Sequence, residues 1–326
     1  MKHGIKRMMK AGIKGILPQK IVDQIYFQYQ IWLERWVWFH GDSVAYLEKW
    51  YQKRTGYPLD LSNPKTFTAK QQWLKLYGQS ERKTKCADKW QVRAYVAEKL
   101  GPEVLIPVIS NNGKDSFQNP WEIDYDQLPD RFVIQCSHGS GMTFVVENKR
   151  DLGEKGFRRL QRMLSRCLKR NYAFGNGLEL VYKDIKPVIF ITKYLSSGDG
   201  LPDYKFMCFH GQPQFLWIDT GRFTDHRRRV YNLDFTPAPF TMARYKSTDV
   251  EKPEELENMI RYAQILAEDF PDCVRVDFYY AQGQIWFGEL TFSSSSGTEV
   301  PQPPEWDLRL GEMLRLPCDG DKERDG

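Results

Sequence analysis

Residues 273–292 run Cys-Val-Arg-Val-Asp-Phe-Tyr-Tyr-Ala-Gln-Gly-Gln-Ile-Trp-Phe-Gly-Glu-Leu-Thr-Phe. Two β-branched and aromatic runs split by Gln282-Gly283 predict a β-hairpin. Arg275 and Asp277 are two apart on the first strand, so they project to one face. A turn at Gln282-Gly283 places Glu289, on the returning strand, roughly across from Asp277. Two carboxylates converging in apolar surroundings repel unless a cation stands between them. Mg2+ is the economical cation, because it takes carboxylate oxygens together with nucleotide phosphates. Arg275 beside them is suited to clamp a phosphoryl oxygen with two hydrogen bonds. The plainer reading is two exposed hairpin carboxylates that meet solvent or lysine.

Upstream, Glu254–Phe270 places Leu256, Met259, Ile260, Ala263, Leu266, Ala267 and Phe270 at three-four spacing, which predicts a helix starting near Pro253. Tyr204–His210 and Gln214–Asp219 form a second predicted hairpin about Gly211, after a strand at Val188–Leu195 and a turn at Ser196–Pro202. Arg131–Cys136 and Thr143–Glu147 flank Ser137-His138-Gly139-Ser140-Gly141, a strand–glycine loop–strand unit. Its glycines leave backbone N–H groups free to approach phosphates, and a hairpin lets the loop act as a lid. Further strand character lies at Val104–Ile109. Helices are expected at 155–172, from Ala87 to Leu100 with a stop at Gly101-Pro102, from Thr66 to Tyr77, and through the aromatic stretch Ile21–Trp50, which reads as packed on something. Asp88-Lys89 then begins a helix with Arg93 one turn on, which by itself reads as a solvated face.

The chain has 326 residues, 41% of them hydrophobic, so it can bury a core and is not disordered as a whole. No apolar run approaches the roughly 20 residues of a membrane span. Six cysteines lie far apart without a CxxC pair, which argues against a zinc site and favours buried free thiols in a reducing cytoplasm. The P-loop, GxGxxG, HExxH, calcium-loop and GxSxG patterns are missing. The lone His40, His210 and His226 have no partner at metal or triad spacing. Net charge is +5, yet residues 1–22 hold Lys2, Lys6, Arg7, Lys10, Lys14 and Lys20 with no acid; subtracting those six leaves −1 for the rest. Ile5, Met8, Met9, Ile13, Ile16 and Leu17 give that segment an apolar stripe. It reads either as a membrane-surface anchor or as a first helix packed on the core. The charge therefore says little about nucleic acid, and none is expected as a partner.

Taken in order, Asp-Lys, the glycine loop between strands, Lys193-Tyr194-Leu195, and Arg-x-Asp with a distant Glu follow the plan of the ATP-grasp fold. Asn63-Pro64-Lys65-Thr66-Phe67, Gln72-Trp73-Leu74-Lys75-Leu76, Asp88-Lys89, Arg93-Ala94-Tyr95-Val96, the 137–141 loop, Asp203-Tyr204-Lys205, Cys208-Phe209-His210-Gly211 and the 274–292 hairpin together resemble the TupA-like ATP-grasp family, named for teichuronopeptide synthesis. The likeness runs from about residue 55 to 310.

The resemblance implies an α+β protein: two α+β lobes with ATP between them, preceded by an N-terminal helical extension. The expected organisation is extension 1–55, N-terminal lobe 56–125, glycine-loop lid 126–195, C-terminal lobe with the metal site 196–316, and a disordered tail 317–326. It implies ATP and Mg2+ as cofactors. Lys89 would contact the phosphates and, with Arg275, serve catalysis. Gln135, Ser137, His138, Gly139, Ser140 and Gly141 would cover the nucleotide. Lys193, Tyr194 and Leu195 would form the adenine hinge, Asp203 would contact the ribose, Lys205 would also bind the nucleotide, and Asp277, Glu289 and Thr291 would hold the metal.

The implied activity is a carboxylate–amine ligase working through an acyl phosphate. It would join an amino acid or amine to a uronic acid in capsule or other surface-polysaccharide assembly, in the cytoplasm or on the inner face of the plasma membrane. Departures from the pattern are Gln135, where a charged lysine is usual, Thr192 in place of glutamate, and Thr291 in place of asparagine. The alternatives are a glycan kinase on the same ATP site, or a degenerate nucleotide-binding scaffold weakened by Gln135.

Overall fold

The computed structural model describes residues 18–195, 200–221, 225–242 and 245–317. The basic stripe expected through residue 17, residues 196–199 of the 196–202 turn and the tail from residue 318 lie outside the described residues.

Among the described residues the order begins with two helices, α1 (Gln19–His40) and α2 (Ser43–Thr55). The aromatic stretch is therefore broken at Gly41-Asp42, where the Asp42 carboxylate accepts the Ala45 N–H at 2.9 Å and caps the second helix. Next come α3 (Phe67–Tyr77), α4 (Glu81–Ala87) and α5 (Val92–Leu100). The helix expected from 87 starts only at 92. Asp88 Oδ1 accepts the N–H groups of Trp90 (2.8 Å) and Gln91 (3.2 Å), and this local competition pulls the backbone out of the helix.

After the short strand β1 (Ser116–Phe117) follow β2 (Phe132–Cys136), β3 (Thr143–Val146), α6 (Lys149–Leu168) and β4 (Ile189–Lys193). Helix α6 starts six residues earlier than its periodicity suggests, because Asn148 caps it and Gly153 (φ 59°) absorbs an irregularity. The chain continues through β5 (Asp203–Phe209), β6 (Gln212–Thr220), β7 (Arg227–Asn232), β8 (Thr241–Met242), α7 (Leu256–Ala267), β9 (Cys273–Ala281), β10 (Gln284–Thr291), β11 (Pro301–Gln302) and α8 (Glu305–Met313).

These strands form an antiparallel sheet in the order β1-β4-β2-β3, a larger one in the order β10-β9-β5-β6-β7, and a β11-β8 pair. The small sheet buries Phe132, Ile134, Ile189 and Ile191 against Phe157, Leu160 and Leu164 of α6. One face of the large sheet is largely apolar: Phe206, Leu216, Val276 and Phe278 pack on Met259, Ala263 and Leu266 of α7 and on Val92 and Val96 of α5. Each such buried side chain is worth about 1.5–3 kcal/mol. The other face carries charges between two apolar ends: at one, Met207, Phe209 and Trp217 meet Phe67, Leu74 and Leu310, and at the other lie Tyr279 and Trp286. Residues 104–109, expected as a strand, instead form a strap between the sheets, with Leu105 bridging Phe287 and Val108 bridging Thr192.

The N-terminal helices dock through a polar anchor. Glu34 of α1 is fully buried and accepts the N–H groups of Gly175 (2.7 Å), Gly177 (3.0 Å) and Leu178 (3.3 Å) and the Tyr46 hydroxyl (2.8 Å). The opposite side of α1 packs on nothing comparable: Trp32 and Phe39 are exposed.

Helix α8 crosses the start of α3 so closely that a Cβ at Gly311 would lie 2.1 Å from the Lys65 carbonyl oxygen and 2.8 Å from the Phe67 nitrogen. Gly311→Ala is therefore expected to cost about 2 kcal/mol by forcing the helices apart. A thermal-unfolding midpoint equal to that of the parent would contradict this contact.

Candidate active site

The 273–292 hairpin turns on two residues in the left-handed region, Gln282 (φ 58°) and Gly283 (φ 72°), as a tight two-residue loop requires. From there the register runs Ala281↔Gln284 to Phe278↔Phe287. Continued regularly, it would bring Gly288 opposite Asp277. A bulge between Phe287 and Glu289 adds one residue, so Glu289 faces Asp277 and Thr291 faces Arg275. That extra residue moves the two acids onto one face. Gly288 permits it, since a Cβ there would sit 3.1 Å from the Asp277 carbonyl oxygen. We expect Gly288→Ala to lower turnover about tenfold while shifting the unfolding midpoint by only a few degrees. Equal kinetics for parent and variant would show that the register does not matter.

On this face Arg275 stands among the acids. Its Nε and Nη2 donate to Asp277 at 2.7 and 2.6 Å, Nη2 also reaches Glu289 and Thr291 at 3.1 Å, and Nη1 donates to the Ser294 hydroxyl at 2.8 Å. Thr291 donates to Glu289 at 3.2 Å, and Lys89 pairs with the other Glu289 oxygen. The row continues across the sheet: Lys205 Nζ lies 2.9 Å from Asp203, 3.4 Å from Asp219 and 3.9 Å from Asp277. Arg228 then holds Asp219 at 2.5 and 2.9 Å and Glu299 at 3.1 Å. Acids and bases alternate, so nearly every charge taken out of water has a partner.

The proton affinities follow this layout. Burial pushes the Asp277 carboxyl up, against the pull of Arg275 and Lys205. Burial would also raise Asp219, but Arg228 and Lys205 outweigh it and hold that carboxyl well below the usual range. Arg275 stays charged, because Asp277 and Glu289 more than offset its burial.

The glycine loop meets this row through Lys89. The Lys89 N–H donates to the Ser137 carbonyl at 2.9 Å, while its ammonium reaches Glu289. Ser137, His138 and Gly139 are buried, and Ser140 and Gly141 form the exposed tip. The Ser137 hydroxyl accepts the Val188 N–H at 3.3 Å, and the His138 Nε2 sits 3.1 Å from the Cys167 carbonyl, so both side chains support the loop. Gly139 passes so near Tyr172 that a Cβ would lie 2.4 Å from its ring. Gln135 is half-buried on β2, opposite Thr143 and Phe190, and Phe190 packs on Trp90 beside Lys89 at 5.4 Å.

Lys193 is exposed at the end of β4, and the Tyr194 hydroxyl donates to Glu147 at 3.2 Å. Leu195 is buried with Ile106, Leu201, Tyr279, Ala281 and Trp286, an apolar cluster built from both sheets. Tyr279 belongs to the Arg275–Asp277 face and pairs with Asp203, so this cluster adjoins the charged row. Asp203 and Lys205 are themselves nearly inaccessible.

Asp219, Arg228 and Glu299 escape a reading of the sequence alone. The only hint is a single acid closing the apolar run Phe215-Leu216-Trp217-Ile218. Asp277, Glu289 and Thr291 offer hard oxygen donors of the kind Mg2+ accepts, and an ion shared with phosphates needs only one or two protein carboxylates. Among the described residues, no cluster of three or more His, Cys, Asp or Glu forms a metal cage by itself. The donor set thus fits a metal held jointly with a ligand.

The family model for TupA-like ATP-grasp matches residues 69–315. Solved structures with similarity include D-alanine–D-alanine ligase from Helicobacter pylori (14% identity, 76% of this chain and 69% of that one, TM-score 0.39). D-cycloserine synthetase DcsG is also similar (18% identity, 71% of each chain, TM-score 0.39). So is the ATP-grasp ligase PsnB (13% identity, 66% of this chain, TM-score 0.36), of whose length the chain spans 55%. No curated protein matches the chain. With hairpin, glycine loop and Asp-Lys turn all inside the matched span, the chain belongs to the TupA-like ATP-grasp family.

Proposed function

We propose that the protein is an ATP- and Mg2+-dependent carboxylate–amine ligase that joins an amino acid or amine to a sugar carboxylate, such as a uronic acid of a surface polysaccharide. The observation that carries this reading is the meeting of Lys89, Arg275, Asp277 and Glu289 beside the glycine loop. A carboxylate oxygen of the sugar attacks the γ-phosphorus of ATP, the bond to ADP breaks, and an acyl phosphate forms. The amine then attacks the acyl carbon and inorganic phosphate leaves.

Lys89 and Arg275 offset negative charge as it develops on the transferring group. Asp277 and Glu289, with Thr291 nearby, would hold Mg2+, which would supply further charge neutralisation on the phosphates. The 137–141 tip covers the phosphates and excludes water, which would hydrolyse the acyl phosphate. The apolar cluster around Leu195 is a slot for the adenine, next to the phosphates. In this reading the lid is segment 126–195, and it closes on the lobes formed by 56–125 and 196–316.

The test is turnover of Mg-ATP against a panel of uronic acids and amino acids. ADP and inorganic phosphate that appear only when both acceptors are present support the ligase. ADP with a phosphorylated sugar and no free phosphate would make it a kinase. No turnover with any pair, together with unchanged nucleotide binding by Asp277→Ala, would make it a scaffold.

A further inference from the structure

Helix α1 shows a face that the enzyme reading does not use. Ile21, Ile25, Tyr29, Trp32, Trp36 and Phe39 are between 41% and 62% exposed. At 3.6 residues per turn they fall within one arc of about 80°. Both acids of the helix lie away from this arc: Glu34 is the buried anchor and Asp23 lies on the far side by spacing. Along one edge of the arc run Gln24, Gln28 and Arg35. Six large apolar side chains in one row cost free energy in water and mark a contact surface. Trp and Tyr are the residues that settle at the boundary between headgroups and hydrocarbon.

We propose that this face of α1 docks the protein on an anionic lipid bilayer, lying in the interface rather than crossing it. Among the described residues, no helix is long and apolar enough to cross a membrane. Charge selects the lipid as occupant. The chain leading into α1 holds Lys2, Lys6, Arg7, Lys10 and Lys14 and no acid. Anionic headgroups neutralise such a segment, at roughly 1 kcal/mol per cation near the surface. A second copy would not: docked in parallel it sets two acid-free basic segments side by side, and docked antiparallel it offers each segment the far end of α1, whose exposed arc carries no carboxylate. The segment folded back on its own helix could meet the arc with its apolar stripe, but it would leave its five cations without an anionic partner, since the arc has no carboxylate. A row of interfacial aromatics beside a cationic segment gives the two signals that stable peripheral binding needs.

The experiment is flotation of the full chain with vesicles of phosphatidylcholine alone, or containing 30 mol% phosphatidylglycerol (about one anionic lipid in three). The expected result is binding to the anionic vesicles at least about tenfold tighter than to neutral ones. Trp32→Ser/Trp36→Ser/Phe39→Ser should weaken it on the order of 100-fold, and Phe39→Ser alone by about tenfold. Both variants should keep the parent's unfolding midpoint and ATP binding, because the altered side chains face outward. Failure of the parent to float with anionic vesicles overturns the proposal. So does full binding by both variants, which would leave the basic segment acting alone. A parent dimer that the triple variant dissolves, without lipid binding, would assign the face to a second copy instead.

Discussion

Glu289→Gln is expected to lower Mg2+- and ATP-dependent turnover about 10³-fold or more while leaving the unfolding midpoint within a few degrees of the parent. The two effects separate because of where Glu289 sits. Its side chain is 30% exposed and meets Arg275, Lys89 and Thr291 at the open edge of the row. Glutamine keeps the shape and one acceptor oxygen, so the hairpin survives. It removes the negative charge that, with Asp277, would hold a divalent ion and set the position of Lys89. Loss of one preorganised charge at such a centre costs on the order of 10²–10³ in rate, and loss of a metal carboxylate adds the weakened affinity. Asp277→Asn provides the contrast. It is buried, and it alone receives two Arg275 hydrogen bonds, at 2.7 and 2.6 Å. Its loss leaves the interior guanidinium with Glu289 as its remaining carboxylate, so both turnover and stability should fall, the latter by about 3 kcal/mol. ADP formation and calorimetry on both variants decide the matter. Full turnover by Glu289→Gln would remove Glu289 from the chemistry.

The second large effect concerns the N-terminal extension. Glu34→Ala is expected to cost about 3–5 kcal/mol, read as a lower midpoint in urea, because three backbone N–H groups and a hydroxyl lose a buried acceptor together. The loop it holds cannot relax cheaply. Leu178 sits at φ 59°, a strained region for a leucine, and a Cβ at Gly177 would lie 2.6 Å from the Trp50 ring. The carboxylate thus compensates a backbone that would not otherwise choose this path. Glu34→Gln should recover part of the loss, since its amide oxygen still accepts. A variant as stable as the parent would show that the helices dock by apolar contact alone.

What the sequence discloses and what it hides divide along physical lines. The 273–292 hairpin and the 256–267 helix were legible because period-two and period-3.6 patterns are local and nothing in the fold opposes them. The meeting of Asp277 with Glu289 was legible only roughly, since the bulge at Gly288 is a decision of one residue. The rest of the charged row was not legible. Asp219 and Arg228 reach Asp277 through Lys205, and that depends on the strand order β9-β5-β6-β7, in which β9 pairs with a strand roughly 70 residues upstream. Glu34 stayed hidden for a related reason: its partners are backbone amides, which leave no mark in the sequence. The break at Asp88 follows from a side chain competing for amides that a helix would otherwise use. The aromatic stretch 21–50 reads as packed on something, and its first helix is so on one face only.

Lys89 has one further consequence. Its main chain is fastened to the base of the glycine loop and its side chain to Glu289, so one residue reports the state of each place to the other. Drawing the ammonium away from Glu289 is expected to loosen the Ser137 carbonyl contact, and lifting the loop is expected to change the charge facing the carboxylates. Such coupling works equally in both directions. Filling the carboxylate end must alter the loop's opening equilibrium by the same factor by which loop closure alters affinity at that end. Amide exchange along residues 137–141 is therefore a gauge of events at Glu289.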